Sequence, residues 1–378
     1  MRKKLPFLEA ISVLVGTIIG AGILGIPYVV AKAGFLTGLV VLLVIAAAVI
    51  IINLFLGEIV LSTKKRYQLT GYANKYLGRG GKYLMLLATV FGFYGALLAY
   101  IIGEGEILAA LTGGNPLFYS LLFFIFGSVL VYLGLTVIKK LEFIMALIIL
   151  VIVVFIGLLG FKLINLENLL EFNWLKLFIP YGVIFFAIGG TSAVPELRSV
   201  LVGREKLVKK AIIFGVTIPF IVYIIFTLVV VGVTGLQTTE IGTIGLGEVI
   251  GKSMLMFGNL FAFFTMATSF LTLGLALKNT YRFDIGFKHK TAWLLACLPP
   301  LFVFIFGLQD FVKVLGTVGA IGGGIEGLLI LAIYWKLKSL KTTERQPEYK
   351  IPASGILIAV LSLIFIGGIV YTFVARNT

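Results

Sequence analysis

The chain has 378 residues, of which 60% are hydrophobic and 12% charged, and its mean hydropathy is +1.13. This composition excludes a soluble globular core and is typical of a polytopic membrane protein. The net charge of +15 would suggest a nucleic-acid partner in a soluble protein, but its distribution along the chain favours a membrane topology instead. The single cysteine, Cys297, excludes an intramolecular disulfide and a cysteine-based metal site.

Apolar stretches separated by charged residues, glycine, asparagine and proline predict eleven membrane spans. They cover residues 7–31, 36–62, 83–112, 117–138, 141–161, 177–202, 207–234, 253–279, 291–308, 312–335 and 353–375. If the N-terminus is cytoplasmic, 25 of the 31 lysines and arginines fall in cytoplasmic segments. The positive-inside rule therefore predicts a multi-pass plasma-membrane protein with its N-terminus in the cytoplasm and its C-terminus outside the cell.

Four glycines and a proline interrupt the first span near its centre, in Gly16-Thr-Ile-Ile-Gly-Ala-Gly-Ile-Leu-Gly-Ile-Pro27. Unwound backbone in a bilayer is tolerated only where it is buried in protein or lines a cavity, because each unpaired polar group costs several kcal/mol. The interruption therefore indicates a polar ligand at the middle of the membrane, as in a transporter. Close helix packing through the Gly16 and Gly20 pair would explain the same glycines equally well.

A second interruption lies in span six, in Phe185-Phe-Ala-Ile-Gly-Gly-Thr-Ser-Ala-Val-Pro-Glu196. Interruptions five spans apart fit an inverted repeat of five plus five helices, because an odd number of spans inverts the second copy in the membrane. We therefore predict an all-α polytopic membrane protein with discontinuous helices one and six. Residues 1–161 would form the first repeat, 176–338 the inverted second repeat, and 353–376 an additional eleventh helix.

The segments Gly20-Ala-Gly-Ile-Leu-Gly-Ile-Pro-Tyr28 and Phe186-Ala-Ile-Gly-Gly-x-x-x-x-Pro-Glu-Leu197 resemble amino acid permeases of the amino acid/polyamine/organocation superfamily. They are most similar to its amino acid/auxin and hydroxy/aromatic amino acid permease branches. The resemblance implies the LeuT-type fold and secondary transport of amino acids. Aromatic permeases tend to carry a histidine near Gly190 and Thr191, and sodium-coupled neutral amino acid transporters tend to carry an asparagine in place of Gly16. These two departures leave open both aromatic specificity and the coupling ion.

An amino acid needs donors for its carboxylate and acceptors for its ammonium, and two interrupted helices offer both. Amides at the start of the second half of span one would hold the carboxylate, and free carbonyls before each interruption would hold the ammonium. One face of span three would contact the side chain, although the same spacing fits an aromatic core stripe equally well. The predicted substrate-binding residues are Thr17, Gly20, Ala21, Gly22, Phe186, Ala187, Ile188, Gly189, Phe93, Leu97 and Tyr100.

Hydroxyl residues of span eight lie at i, i+3 and i+4, on one helical face near the middle of the membrane. Such hydroxyls usually bond back to their own helix. In sodium-coupled LeuT-type carriers, however, adjacent Ser/Thr residues of helix eight meet carbonyls from the break in helix one, and the resemblance implies a Na⁺ site here. Its predicted ligands are Gly16, Ile19, Thr265, Thr268 and Ser269. Proton-coupled relatives can place a lysine on helix five instead, and residues 143–161 contain none.

Glu104 in span three and Glu326 in span ten are acidic residues within predicted spans, so each is a candidate for carrying a proton or gating the pathway. Glu326 could equally be a hydrogen-bonded structural residue, and Glu104 could line a wet outer vestibule. A proton route through Glu326 is the alternative to sodium. Glu58, near the inner end of span two, is expected to pair with a loop lysine.

Motifs for enzyme chemistry are missing from the sequence, which has no H-E-x-x-H or G-x-S-x-G and a single histidine in a loop. The sequence thus predicts a secondary active transporter that imports a neutral, aliphatic or aromatic, amino acid by cation symport with alternating access. A proton-coupled transporter or exchanger, an amino-acid sensor and a channel of the same fold are the alternatives. Expected partners are the amino acid and membrane lipid, with no nucleic acid and no obligatory protein partner. No cofactor is expected, and Na⁺ is the predicted coupling ion.

Overall fold

The computed structural model of the protein describes residues 5–134, 156–340, 342–352 and 354–374. Within these residues, eight helices are long and apolar enough to cross a bilayer, and the bent pair of span one adds a ninth crossing when counted as one. The helix of span nine is apolar but shorter, at 17 residues. Most of predicted span five, including residues 143–155 of its lysine-free stretch, lies outside the described residues.

The described helices keep the span numbers of the sequence prediction. Their bounds are Leu5–Ile18 and Gly22–Ala33 (one), Phe35–Ser62 (two), Leu69–Thr112 (three), Pro116–Leu133 (four), Tyr181–Ile188 and Val194–Val200 (six), Val208–Thr234 (seven), Lys252–Asn279 (eight), His289–Ile305 (nine), Phe311–Thr317 and Gly324–Ser339 (ten), and Gly355–Val374 (eleven). A further short helix, Gly242–Ile250, joins spans seven and eight, and a π-helical turn, Val318–Gly323, joins the two parts of span ten.

The helical stretch of span three begins at Leu69, but non-helical backbone at Gly78 divides it into an early segment and the span itself, which starts within a few residues of the predicted residue 83. Gly78, with a φ of 75°, joins the early helical segment to the rest of the span. A left-handed φ is accessible to glycine at little cost, so the chain changes direction here without losing the helix on either side.

Span one is interrupted between Ile18 and Gly22, where its two halves are bent by 55°. The amide of Ile19 still bonds to the Val15 carbonyl at 2.9 Å, and the backbone ladder resumes when Leu24 donates to Ala21 at 3.0 Å. Among the described residues, neither the Gly20 nor the Ala21 amide donates a backbone hydrogen bond. The predicted discontinuity of helix one is confirmed.

Span six is interrupted in the same manner. Its first helix ends at Ile188, a 3₁₀ turn covers Thr191–Ala193, and the second helix starts at Val194. Pro195 lies in the first turn of that second helix, where a missing amide hydrogen costs no helical hydrogen bond. Helix six is therefore discontinuous as predicted, and its two glycines are the residues between the helical parts.

Arg198 fastens the second half of span six to the end of span two. Its guanidinium is 7% exposed and donates to the carbonyl oxygens of Val60 at 2.8 Å and Thr63 at 2.6 Å. Carbonyls at a helix end lack partners within the helix, so a buried cation satisfies them and complements the negative end of the helix dipole.

Glu58 is buried in span two and gathers donors from span ten and the segment after it. Its carboxylate accepts from the Lys338 ammonium at 2.5 Å, the Tyr334 hydroxyl at 3.0 Å and the Ile351 amide at 2.7 Å. The expected lysine partner is present, but Lys338 belongs to the last turn of span ten rather than to a loop. A buried carboxylate with three donors is satisfied, which gives Glu58 a structural role.

Candidate functional site

A cavity of about 170 Å³ lies between the two interruptions and the facing parts of spans three and ten. One water molecule needs roughly 10–15 Å³ on the same measure, so the space suits a small organic ligand. Nine of the eleven predicted substrate-binding residues line it. They are Thr17, Gly20, Ala21, Gly22, Phe93, Tyr100, Phe186, Ala187 and Gly189.

The other two predicted substrate residues, Leu97 and Ile188, are packed in the protein interior. Leu97 is 1% exposed and Ile188 is not exposed at all, and neither lines the cavity. The spacing that put Leu97 beside Phe93 and Tyr100 covers a helical stripe wider than the cavity. Leu97, the middle residue of this stripe, packs in the protein interior, as the alternative of an aromatic core stripe predicts.

The start of the second half of span one provides backbone donors to the cavity. Gly20, Ala21 and Gly22 all line the cavity, and the amides of Gly20 and Ala21, just before the helix that begins at Gly22, donate no backbone hydrogen bond among the described residues. Such amides and the positive end of the helix dipole favour an anion. Glycine is needed at position 22 because a Cβ there would lie 2.5 Å from the Cα of Ala187. The two interruptions are thus in direct contact.

Tyr223 of span seven joins the two interruptions through its hydroxyl. The hydroxyl donates to the Ile18 carbonyl at 2.7 Å and lies 3.1 Å from the Ala187 carbonyl, and the side chain is fully buried. A carbonyl oxygen has two lone pairs, so Ala187 keeps an acceptor site for an ammonium. Sequence reasoning missed Tyr223, whose only signal was a lone tyrosine in the middle of an apolar span.

The hydroxyl residues proposed as sodium ligands are divided between two environments. Thr265 donates to the Phe261 carbonyl at 2.9 Å and Thr268 to the Phe264 carbonyl at 2.9 Å, so both bond back within span eight. A hydroxyl that donates in this way keeps its oxygen lone pairs for a cation.

Ser269 lies beside the first interruption. It shares a hydrogen bond with Tyr100, and its hydroxyl is 3.5 Å from the point where a Cβ on Gly20 would stand. Gly16 is exposed, and a Cβ built on it would meet no atom within 4 Å. Ser269 thus lies against span one, and Ile19 of the same interruption is buried at 4% exposure. The donor set of oxygens is chemically suited to Na⁺.

Glu104 does not line a wet vestibule, which corrects one of the two alternatives for this residue. Its side chain is fully buried, and neither carboxyl oxygen has a hydrogen-bond partner among the described residues. The preceding residue, Gly103, packs closely on Met266 and Phe311, so apolar contacts close the protein around this part of span three. Glu104 is separate from the cavity lining.

Glu326 lies on the cavity lining, immediately after the π-helical turn of span ten. Its carboxyl Oε1 accepts a hydrogen bond from the Thr191 hydroxyl in the second interruption. Among the described lining residues, Glu326 is the one with an ionisable acidic group, and none is lysine, arginine or histidine. π-Helical turns occur often at functional sites, because they rotate the following side chains relative to a regular helix.

Comparison with known proteins agrees with this geometry. Residues 3–374 match the tryptophan/tyrosine permease family. The chain belongs to that family. It is therefore an amino acid permease of the membrane and not an enzyme.

Two curated relatives match along most of their length. One, from Aliivibrio fischeri, is named glutamine transporter 2 and is 25% identical over 354 residues, which cover 88% of each chain. The other, from Haemophilus influenzae, is named tyrosine-specific transport system 1 and is 26% identical over 350 residues, covering 85% of this chain and 86% of the relative.

Solved transporters share the fold at low sequence identity. MhsT in complex with L-phenylalanine superposes with a TM-score of 0.64 at 19% identity, over 98% of both chains. The inward-facing conformation of Mhp1 gives a TM-score of 0.65 at 16% identity, over 98% of this chain and 89% of Mhp1. These neighbours have the LeuT-type fold, so the predicted fold class is confirmed.

Proposed function

We propose that this permease carries a neutral amino acid by sodium symport, with alternating access about the cavity between its two interrupted helices. One observation carries the proposal. A single cavity is lined on one side by Gly20 and Ala21, whose amides donate no backbone hydrogen bond among the described residues, and on the other by residues before the second interruption, including Ala187. This arrangement complements the two charges of an amino acid zwitterion.

The substrate side chain is proposed to be uncharged. Phe93, Phe185 and Phe186 give the cavity an aromatic wall, and no basic side chain belongs to its described lining to hold an acidic substrate. The relatives named for glutamine and tyrosine transport support this choice, because both substrates are neutral. Tyrosine, tryptophan and glutamine are therefore the first substrates to test.

Sodium is the proposed coupling ion, with Gly16, Ile19, Thr265, Thr268 and Ser269 supplying oxygens. The position of Ser269 beside Gly20 supports this choice, since an ion there would link span eight to the first interruption. The second candidate is a proton carried by Glu326. It is favoured by the location of that carboxyl group on the cavity lining.

Uptake into liposomes that contain the purified protein tests both parts of the proposal. Labelled amino acids would be offered under a sodium gradient, a proton gradient or neither. We expect saturable uptake of neutral amino acids that requires sodium, together with counterflow, which a channel or a sensor would not show. Uptake restricted to arginine or polyamines would contradict the neutral assignment.

Removal of hydroxyl groups from span eight distinguishes sodium coupling from proton coupling. Thr268→Ala and Ser269→Ala should raise the sodium concentration for half-maximal uptake about tenfold or more, by loss of coordinating oxygens. Thr280→Ala is the matched control, because its hydroxyl also bonds back within the helix, to Ala276 at 3.0 Å, but lies at the far end of span eight. Uptake driven by a pH gradient in sodium-free buffer would favour Glu326 instead.

We also propose that the permease is oriented in the membrane with its N-terminus in the cytoplasm. The native Cys297 is buried at 2% exposure, so single cysteines introduced at exposed positions can report sidedness. Leu175→Cys, at a residue that is 92% exposed, should react with an impermeant maleimide in intact cells. Lys65→Cys, after span two, should react only after the membrane is opened. The reverse pattern would invert the topology.

A further inference from the structure

Glu326 is the strongest hydrogen-bond acceptor on the described cavity lining. Its Oε1 accepts from Thr191, and its Oε2 has no hydrogen bond to the described residues, although the side chain is only half-buried and lines the cavity. One carboxyl oxygen is therefore fixed by the protein while the other stays open to a ligand. Hydrogen bonds to a carboxylate are about twice as strong as those between neutral groups.

Three of the four other lining hydroxyls already have partners, and the fourth belongs to Ser192, next to Thr191. Thr17 donates to the Val13 carbonyl at 2.8 Å and Thr89 to the Met85 carbonyl at 2.9 Å, both within their own helices. Tyr100 shares its hydrogen bond with Ser269. Apart from these groups the lining is mainly apolar, with side chains such as Val49, Ile52, Phe93, Phe186, Leu273 and Val318.

We propose that Thr191 and Glu326 form a side-chain subsite that accepts a hydrogen bond from the polar end of the substrate. The subsite selects amino acids whose side chain has an apolar stem and a terminal N–H or O–H donor, such as a phenol, an indole or a primary amide. This inference rests on the proposed function, transport of a neutral amino acid through this cavity.

The chemistry of Thr191 and Glu326 explains how they would distinguish between the side chains of different substrates. A carboxyl group offers acceptor lone pairs whether or not it carries a proton, so a donor on the substrate has a partner in either state. An acidic side chain is disfavoured by like charge, and a purely apolar one leaves the carboxyl group without a partner. Thr191 fixes the carboxyl group and is a positioning residue.

Matched substrates test the subsite. Tyrosine and phenylalanine differ by one hydroxyl, and glutamine and methionine are similar in length but differ in their donors. For the wild-type protein in liposomes, we expect kcat/KM to be about 10- to 100-fold higher for tyrosine than for phenylalanine, and likewise for glutamine than for methionine. In Glu326→Ala, kcat/KM for tyrosine and kcat/KM for phenylalanine should differ by about threefold or less, mainly because tyrosine uptake becomes slower.

Three further variants make the test specific. Glu326→Gln should keep part of the preference because the amide oxygen still accepts, and Thr191→Val should lower it less than Glu326→Ala does. Thr280→Val is the control, since its hydroxyl also bonds back to its own helix but lies outside the cavity lining, and the ratio should not change. Where a variant binds but does not transport, the same ratio is taken from the dissociation constants of the two amino acids.

The outcomes that overturn the proposal are distinct. If Glu326→Ala slows tyrosine and phenylalanine equally, the carboxyl group acts on a part common to all amino acids or on coupling, and the subsite assignment is wrong while the proposed function stands. If the wild-type protein takes up no amino acid under any gradient, both the proposed function and the subsite fail.

Discussion

The interruptions of spans one and six differ in what they present to the cavity. The first consists of Gly20 and Ala21 and leads into a helix of twelve residues, so it offers backbone amides and a helix dipole. The second carries Thr191 and Ser192 and leads into a helix of only seven residues. Under the proposed function, the parts common to all amino acids would be matched by backbone, and the variable part would meet side chains from the second interruption.

The largest effect is expected where the two interruptions touch. Gly22→Ala would place a Cβ 2.5 Å from the Ala187 Cα, and backbone atoms must move to relieve the contact. Since a displacement of about 1 Å in a site can cost about a hundredfold in rate, uptake should fall by roughly that factor. Initial uptake rates in liposomes would be compared with Gly80→Ala, where a Cβ meets no atom within 4 Å. Normal uptake by Gly22→Ala would refute the close contact.

Tyr223→Phe tests whether the hydroxyl between the interruptions holds them together. It removes a buried donor to Ile18 and leaves that carbonyl without its partner, a loss of about 1–3 kcal/mol. We expect kcat/KM to fall about tenfold for all substrates alike. Tyr83→Phe, at a side chain that is 60% exposed, serves as the reference. A change confined to tyrosine uptake would place Tyr223 in the side-chain subsite instead.

Gly190→Ala should affect transport less than the change in the first interruption. Its Cβ would lie 2.7 Å from Cγ1 of Ile18, which is the atom of a movable side chain rather than backbone. A rotamer change costs about 0.5–1.5 kcal/mol, so a loss of about threefold is expected. Parallel uptake curves for this variant and Gly22→Ala give the comparison directly, and equal losses would show that the two interruptions are under the same steric constraint.

The smallest effect is expected far from both interruptions, at Glu344. A hydrogen bond from Lys75 holds the pKa of Glu344 below its ordinary value of 4.5. A lowered folded-state pKa stabilises the protein above the unfolded pKa, and this contribution is lost as the pH falls through the folded-state value. Because Glu344 is exposed and Lys75 only half-buried, Glu344→Gln should lower the melting temperature at pH 7 by only about 1 °C, with no difference in strong acid. A larger loss at low pH than at pH 7 would contradict this sign.

Features encoded locally were predictable from the sequence. Glycine and proline clusters near the centres of two apolar spans five apart locate both interruptions, because unwound backbone in a membrane is tolerated only where it is buried in protein or lines a cavity. The same reasoning located Glu326 by its depth. Its partner was not predictable, because Thr191 lies 135 residues away and the pairing depends on which spans are neighbours.

Contacts between helices account for the rest of what sequence reasoning missed. Tyr223 has no periodic or spacing signal, and its role depends on the two carbonyls that the fold brings to it. Leu97 was included because helical spacing defines a face but not the width of the cavity. The ionisable side chain of Glu104 suggested a residue that lines a wet vestibule, but close packing around Gly103 buries it.

The hydrogen bonds from Arg198 to the end of span two restrict how span six can be displaced relative to span two. The second half of span six cannot slide along span two without giving up the hydrogen bonds to Val60 and Thr63. These hydrogen bonds tie the second half of span six to the end of span two, while Gly189 and Gly190 separate it from the first half of its own span.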